Sequence, residues 1–156
     1  MKRIKLRNIR SYIDEEIELP KGSVLLAGDI GTGKSSVLLA LDFALFGIRR
    51  GELSGSDLLR HGKSNGFVEV EFDIGRKNII VRRTLRRKKD SVSQDSGYIV
   101  IDGIKSELSP TEIKSKILEL FGYPAELLAK AKSVIFRYTV YTKRRNWMRR
   151  RRKGLL

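Results

Sequence analysis

An α/β fold, with a strand–turn–helix core followed by an antiparallel β subdomain, is what this 156-residue sequence predicts. Three observations carry that expectation. A continuous apolar run at residues 23–27 leads into a glycine-rich segment and then an apolar helical stretch from Lys34. Three alternating segments separated by turn residues follow between residues 68 and 101. Beyond them, Ser109-Pro110-Thr111-Glu112 spells a capping box with proline at the first helical position.

Taken in order, residues 2–9 alternate, with Ile4, Leu6 and Ile9 on the buried side, as a half-exposed strand does. Residues 16–19 form a second short strand, and Pro20-Lys21-Gly22 turns the chain. The run 23–27 (Ser-Val-Leu-Leu-Ala) has no polar face, the pattern of a strand buried on both sides. The helix that follows carries Val37, Leu38, Ala40, Leu41, Ala44 and Leu45, and Gly47 ends it. Residues 48–66, with Gly51, Gly55, Gly62 and Gly66, read as a loop region. The alternating segments are 68–72, 78–85 and 97–101, with turns at Gly75 and Asp102-Gly103 and a polar connection over 86–95. The capped helix runs through Ile113, Ile117, Leu118 and Phe121. A further helix is expected over 125–132, then an apolar stretch over 134–141. No internal repeat is visible.

Composition narrows the class. Hydrophobic residues at 40% and charged residues at 33% suit a globular chain, not a disordered one. No apolar run is long enough to span a bilayer, so no membrane partner is expected. The opening Met1-Lys2-Arg3-Ile4 leads straight into the strand pattern without an export signal, so a cytoplasmic location is expected. Without cysteine, and with His61 as the single histidine, neither a disulfide framework nor a cysteine–zinc site can form. The net charge of +15 points to an anionic partner. Its distribution is uneven: residues 143–156 hold eight Lys or Arg and no acid. Without them 25 basic residues face 18 acidic ones, a net of +7.

Chemistry concentrates in Gly28-Asp29-Ile30-Gly31-Thr32-Gly33-Lys34-Ser35, which fits the phosphate-binding pattern G-x-x-x-x-G-K-[ST] without mismatch. Glycines allow positive φ and bring backbone N–H groups close to phosphate oxygens. Those groups lie at a helix N-terminus, where unpaired donors and the helix dipole favour anions. Lys34 is the expected catalytic residue, reaching the β- and γ-phosphates of ATP, and the Ser35 hydroxyl completes the Mg²⁺ shell. A dinucleotide fingerprint fits poorly, because Ser36 stands where its third glycine would be.

Two strands before the loop and a three-strand meander after its helix separate this chain from small GTPases and nucleotide kinases. Lys5-Leu6-Arg7-Asn8-Ile9-Arg10-Ser11-Tyr12, residues 33–41, Phe43-Ala44-Leu45-Phe46-Gly47 and residues 136–142 together resemble the ABC-type ATPase head of SMC-like DNA-repair proteins. The likeness is strongest to archaeal double-strand-break repair ATPases of the SbcC type. It covers residues 1–142 and implies a P-loop NTPase, the N-terminal lobe of an ABC-type head carrying an antiparallel β subdomain. By that resemblance Gly28, Asp29, Ile30, Gly31, Thr32, Gly33, Lys34, Ser35 and Ser36 hold the triphosphate and Mg²⁺, and Arg10 and Ser11 touch nucleotide. Ile30 replaces the family's usual asparagine, so one phosphate contact is expected to be lost. The partners implied are a C-terminal half of the same ATPase, in the same chain or another, a nuclease subunit, DNA, and a second head in a dimer.

Hydrolysis in such proteins also needs an acidic Mg²⁺ partner with its catalytic glutamate, a signature Ser-Gly segment, a His switch and a loop glutamine. None is found in this sequence. ATP binding that is weak or absent, and no turnover, is therefore expected of the chain alone. Residues 143–156 form a basic tail. Where the family continues with glutamine and acidic residues, a neighbouring reading frame would restore a glutamine and an acidic helix start if the tail's arginines use AGA or AGG codons and the Thr142 codon ends in C. One reading of the tail is thus a frameshifted end, and the other is a nucleic-acid arm around Trp147. A second basic run, Arg82, Arg83, Arg86, Arg87, Lys88 and Lys89, is expected at a hairpin tip, as a solvated face or a DNA contact. Two other functions stay open: a DNA- or partner-binding fragment with a vestigial P-loop, and the ATPase of an ABC transporter.

Overall fold

The computed structural model describes residues 1–29, 31–49 and 53–123. The readings for 125–132, 134–142 and the tail 143–156 lie outside the described residues. Among the described residues six strands form one antiparallel sheet in the order β2-β1-β3-β4-β5-β6. They are β1 (Arg3–Ile9), β2 (Tyr12–Glu18), β3 (Asn65–Ile74), β4 (Lys77–Lys88), β5 (Ser91–Ile101) and β6 (Ile104–Leu108). The described residues also form the helices α1 (Lys34–Phe46), α2 (Gly55–Leu58) and α3 (Pro110–Leu120). Among the described residues, no helix is long and apolar enough to cross a membrane.

Strand alternation decides which face is buried. Ile4 and Leu6 of β1, Val68 and Val70 of β3, Ile79, Val81 and Leu85 of β4 and Ile99 of β5 all turn to the helical side and are at most 2% exposed. Against them pack Ala40, Phe43 and Ala44 of α1 and Ile113 and Ile117 of α3, forming one core. The opposite face carries Arg3, Phe67, Glu69, Arg82 and Tyr98. There Glu69 accepts from Arg82 Nε at 2.8 Å and from the Tyr98 hydroxyl at 2.6 Å, and the Arg82 guanidinium lies 3.9 Å above the Phe67 ring. Burial and the neighbouring Glu69 carboxylate push the Tyr98 phenol up to about 12.

Several expectations need correction. The second strand begins at Tyr12, because pairing with β1 carries through Ile9 and Tyr12 around a tight turn. The polar connection over 86–95 is strand: β4 and β5 continue to a two-residue turn at Lys89 and Asp90, and charged side chains sit comfortably on a solvated hairpin arm. The loop region 48–66 contains α2, begun by a capping box between Ser54 and Asp57. A sixth strand, β6, lies on the sheet edge.

The largest correction concerns 23–27. Among the described residues it pairs with no strand, and Leu25 is 87% exposed. An apolar run becomes a doubly buried strand only with sheet neighbours and covering layers; here no described strand pairs with it, and only Leu26 packs against the core.

Candidate functional site

The β1–β2 turn, the glycine-rich loop and α2 meet at one end of the sheet. Arg10 has φ 49, a left-handed value that reverses the chain between β1 and β2. Its N–H donates to the Leu58 carbonyl at 2.8 Å, and Arg60 Nη1 donates to the Arg10 carbonyl at 2.9 Å. The Arg60 N–H reaches Asn8 O at 2.9 Å, so α2 is bound along the turn by backbone as well as side chain.

The loop is built by its glycines. Gly28, Gly31 and Gly33 have φ 145, 90 and 87, and a Cβ on Gly31 would meet nothing within 4 Å. Gly33 is the N-cap of α1 and offers no side-chain cap, and the first turn holds no acidic residue. Thus α1 starts with unpaired donors and an uncompensated positive dipole end. Lys34 folds back over the loop: its ammonium donates to the Gly28 carbonyl at 2.6 Å, to Thr32 Oγ1 at 2.8 Å, and to the Asp29 carbonyl. The Thr32 hydroxyl itself donates to Asp29 O at 2.9 Å.

These parts enclose a cavity of about 860 Å³, within the range of small-molecule sites. Arg10, Ser11, Gly28, Gly31, Gly33, Lys34, Ser35 and Ser36, all expected from the sequence, line it. Asp29 and Thr32 do not; their oxygens hold Lys34 instead. Ile30 lies outside the described residues. The opposite wall, formed by Ser56, Asp57, Leu59, Arg60 and His61, was not expected. Its one sequence signal is the Ser54-x-x-Asp57 capping box, which starts a helix just before Arg60 and His61. Among the described residues no group of three or more acidic, histidine or cysteine side chains is placed to hold a metal ion.

The second basic group divides. Arg83, expected at a hairpin tip, is 2% exposed and faces the core because it shares the inward parity of Val81 and Leu85. Its Nε donates to the Ala44 carbonyl at 2.9 Å, Nη2 to Leu45 O at 3.3 Å and Nη1 to Pro110 O at 3.1 Å. Desolvation pushes this guanidinium down to about 9, so it stays charged at neutral pH. Arg82 lies on the opposite face with Glu69, and Arg86 pairs with Asp95 at 2.8 Å. Arg87 donates to the Lys63 carbonyl at 3.1 Å, while Lys88 and Lys89 are exposed at the turn.

The AAA domain family matches residues 3–153. The DNA double-strand break repair Rad50 ATPase of Methanococcus maripaludis is similar, 31% identical over 132 residues that cover 84% of this chain and 13% of that protein. The protein of the same name from Thermoplasma acidophilum is 37% identical over 101 residues, 65% of this chain and 11% of its own length. This chain therefore spans only about an eighth of the curated relatives it matches. In structure it is similar to the recombination mediator protein RecF solved with ATP, at TM-score 0.51 and 23% identity, covering 72% of this chain and 28% of that one. That likeness carries the fold. With its phosphate loop, antiparallel subdomain and family match in agreement, the chain belongs to the AAA domain family.

Proposed function

We propose that the chain is the ATP-binding N-terminal lobe of an SMC-like ATPase acting in DNA double-strand-break repair, and that it is incomplete for hydrolysis alone. The uncapped start of α1, set in a nest of positive-φ glycines beside a cavity with Lys34 at its wall, is the observation that carries this reading. A triphosphate fits there: donors without partners, a lysine and open space above Gly31 together match its charge and size. Lys34 exchanges the loop oxygens it now holds for β- and γ-phosphate oxygens. The backbone N–H groups of Gly31, Gly33, Lys34 and Ser35 ring the phosphates, with Ser36 next to them. Ser35 offers its hydroxyl to Mg²⁺, which supplies charge neutralisation between the phosphates when bound. Arg10, Ser11, Arg60 and His61 form the wall that would face the nucleoside.

Phosphoryl transfer is mostly positioning and electrostatics, and the acidic metal partner, catalytic glutamate and signature segment come, in this reading, from a C-terminal lobe. The relatives' name, a double-strand break repair ATPase, supports DNA, a nuclease subunit and a second head as partners of the completed protein. Arg86, Arg87, Lys88 and Lys89 at the β4–β5 hairpin are the candidates for phosphate-backbone contact.

Calorimetric titration of the full chain with ATP, with and without Mg²⁺, tests the reading. Expected are weak Mg²⁺-dependent binding, its loss in Lys34→Ala, and no phosphate release. No binding at millimolar ATP would count against ATP binding by the lobe alone and favour the vestigial-loop reading. Phosphate release that Lys34→Ala abolishes would refute incompleteness.

A further inference from the structure

Tyr12 opens β2, and its ring lies against the one peptide of the phosphate loop whose orientation matters most. The Tyr12 hydroxyl donates to the Gly33 carbonyl at 3.2 Å. A Cβ built on Gly33 would come within 2.6 Å of that hydroxyl and 3.0 Å of the ring carbon bearing it, so the phenol occupies the space a side chain would need. The Gly33 carbonyl also accepts from the Ser36 N–H at 3.0 Å and the Val37 N–H at 3.2 Å. Three donors therefore converge on one oxygen. Because a peptide is planar, fixing the Gly33 carbonyl fixes the Lys34 N–H on the other side of the same bond. Hydrogen bonds on the carbonyl also polarise the peptide and make that N–H a stronger donor. Tyr12 directly follows Arg10 and Ser11, which line the cavity.

From this geometry we infer that Tyr12 is a positioning residue for anion binding: its phenol holds the Gly33–Lys34 peptide so that the Lys34 N–H faces the triphosphate. The inference rests on the ATP-binding reading for its ligand, but the tether itself exists without one. The Tyr12 hydroxyl thereby ties the turn bearing Arg10 and Ser11 to the loop.

The test is Tyr12→Phe in the full chain, which keeps the ring and removes only the hydroxyl. Three readouts are taken: MgATP affinity by calorimetry, thermal midpoint, and the Lys34 amide shift by ¹⁵N NMR without nucleotide. A single lost hydrogen bond predicts MgATP affinity lower by about two- to tenfold. The midpoint should hold, and the Lys34 amide should move upfield. Unchanged affinity with an unchanged Lys34 amide would overturn the inference. So would affinity and midpoint falling in step, as a purely structural residue would produce. If the parent chain binds no ATP, the functional proposal falls by itself. The Lys34 amide then decides on Tyr12 alone: a shift supports the tether and no shift refutes it.

Discussion

Helices α1 and α3 pack on the same face of the sheet, yet they are secured at opposite ends. At the start of α3, the Ser109 side chain accepts from the Glu112 N–H while the Glu112 carboxylate accepts from the Ser109 N–H at 2.8 Å, and Pro110 fills the first turn. α1 has no such cap and no acid in its first turn. Its support lies at the other end, where the buried Arg83 guanidinium donates to the carbonyls of Ala44 and Leu45. Neither helix has a basic residue in its own last turn, so β4 supplies the cation that α1 lacks. The difference teaches where stability and binding separate. α3 uses its N-terminal donors internally; α1 leaves them open and is anchored from behind.

That contrast can be broken most severely at Arg83. Arg83→Met leaves the buried Ala44 and Leu45 carbonyls of α1 without their donor and should cost about 2–4 kcal/mol in urea unfolding. Removing the α3 cap is milder: Ser109→Ala should cost about 1 kcal/mol by the same measurement, with nucleotide affinity unchanged. The contrast sharpens at Ser35, which is exposed at the start of α1. Ser35→Asp should stabilise the chain by about 0.3–1 kcal/mol through the helix dipole and abolish MgATP binding by repelling phosphate. The smallest effect is in acid. Capping by Ser109 holds the Glu112 carboxyl below the usual glutamate value. A depressed folded pKa gives stability that is present above the ordinary glutamate range and lost as pH falls through the lowered value. The protection factor of the Ser109 amide, the slowing of its exchange relative to an unprotected amide at the same pH, should therefore fall below about pH 4.5 and lose that dependence in Glu112→Gln. Amides at the start of α1 should show no matching transition.

Much of this was legible in the residues. Glycines at fixed spacing, the Ser109 box and Gly47 state backbone requirements locally, so the phosphate loop and both helix limits could be read from short segments. Residues 23–27 misled because an apolar run records a need for burial and not whether a cover is at hand. Residues 86–95 misled in the opposite sense: polar side chains hid a strand whose backbone pairs regardless of them. Arg83 could have been placed by parity, since Ile79, Val81 and Leu85 fix the inward set that includes it. A composition argument that grouped it with Arg86 and Lys88 ignored that alternation. Tyr12, Arg60 and His61 join the site through tertiary closure of the β1–β2 turn on α2, which no local pattern announces.

One irregularity governs how the sheet can change over evolution. Between Arg82 and Thr84 the register of β4 against β5 slips, so that Arg82 opposes Tyr98 and Thr84 opposes Asp95. A side chain at Gly97 would stand 2.1 Å from the Arg82 carbonyl. The slip switches which β5 residues look inward, from Gln94, which accepts from Arg83 at 3.3 Å, to Gly97 and Ile99. Two β5 residues, Ser96 and Gly97, stand there against the single Arg83, so deleting Ser96 alone would leave Arg82 opposite Tyr98 and Ile99 opposite Val81 in an unbroken ladder. The slip is therefore the place where β5 tolerates a length change of one residue; the same step elsewhere in the strand, without a bulge to absorb it, would turn every side chain beyond it to the other face.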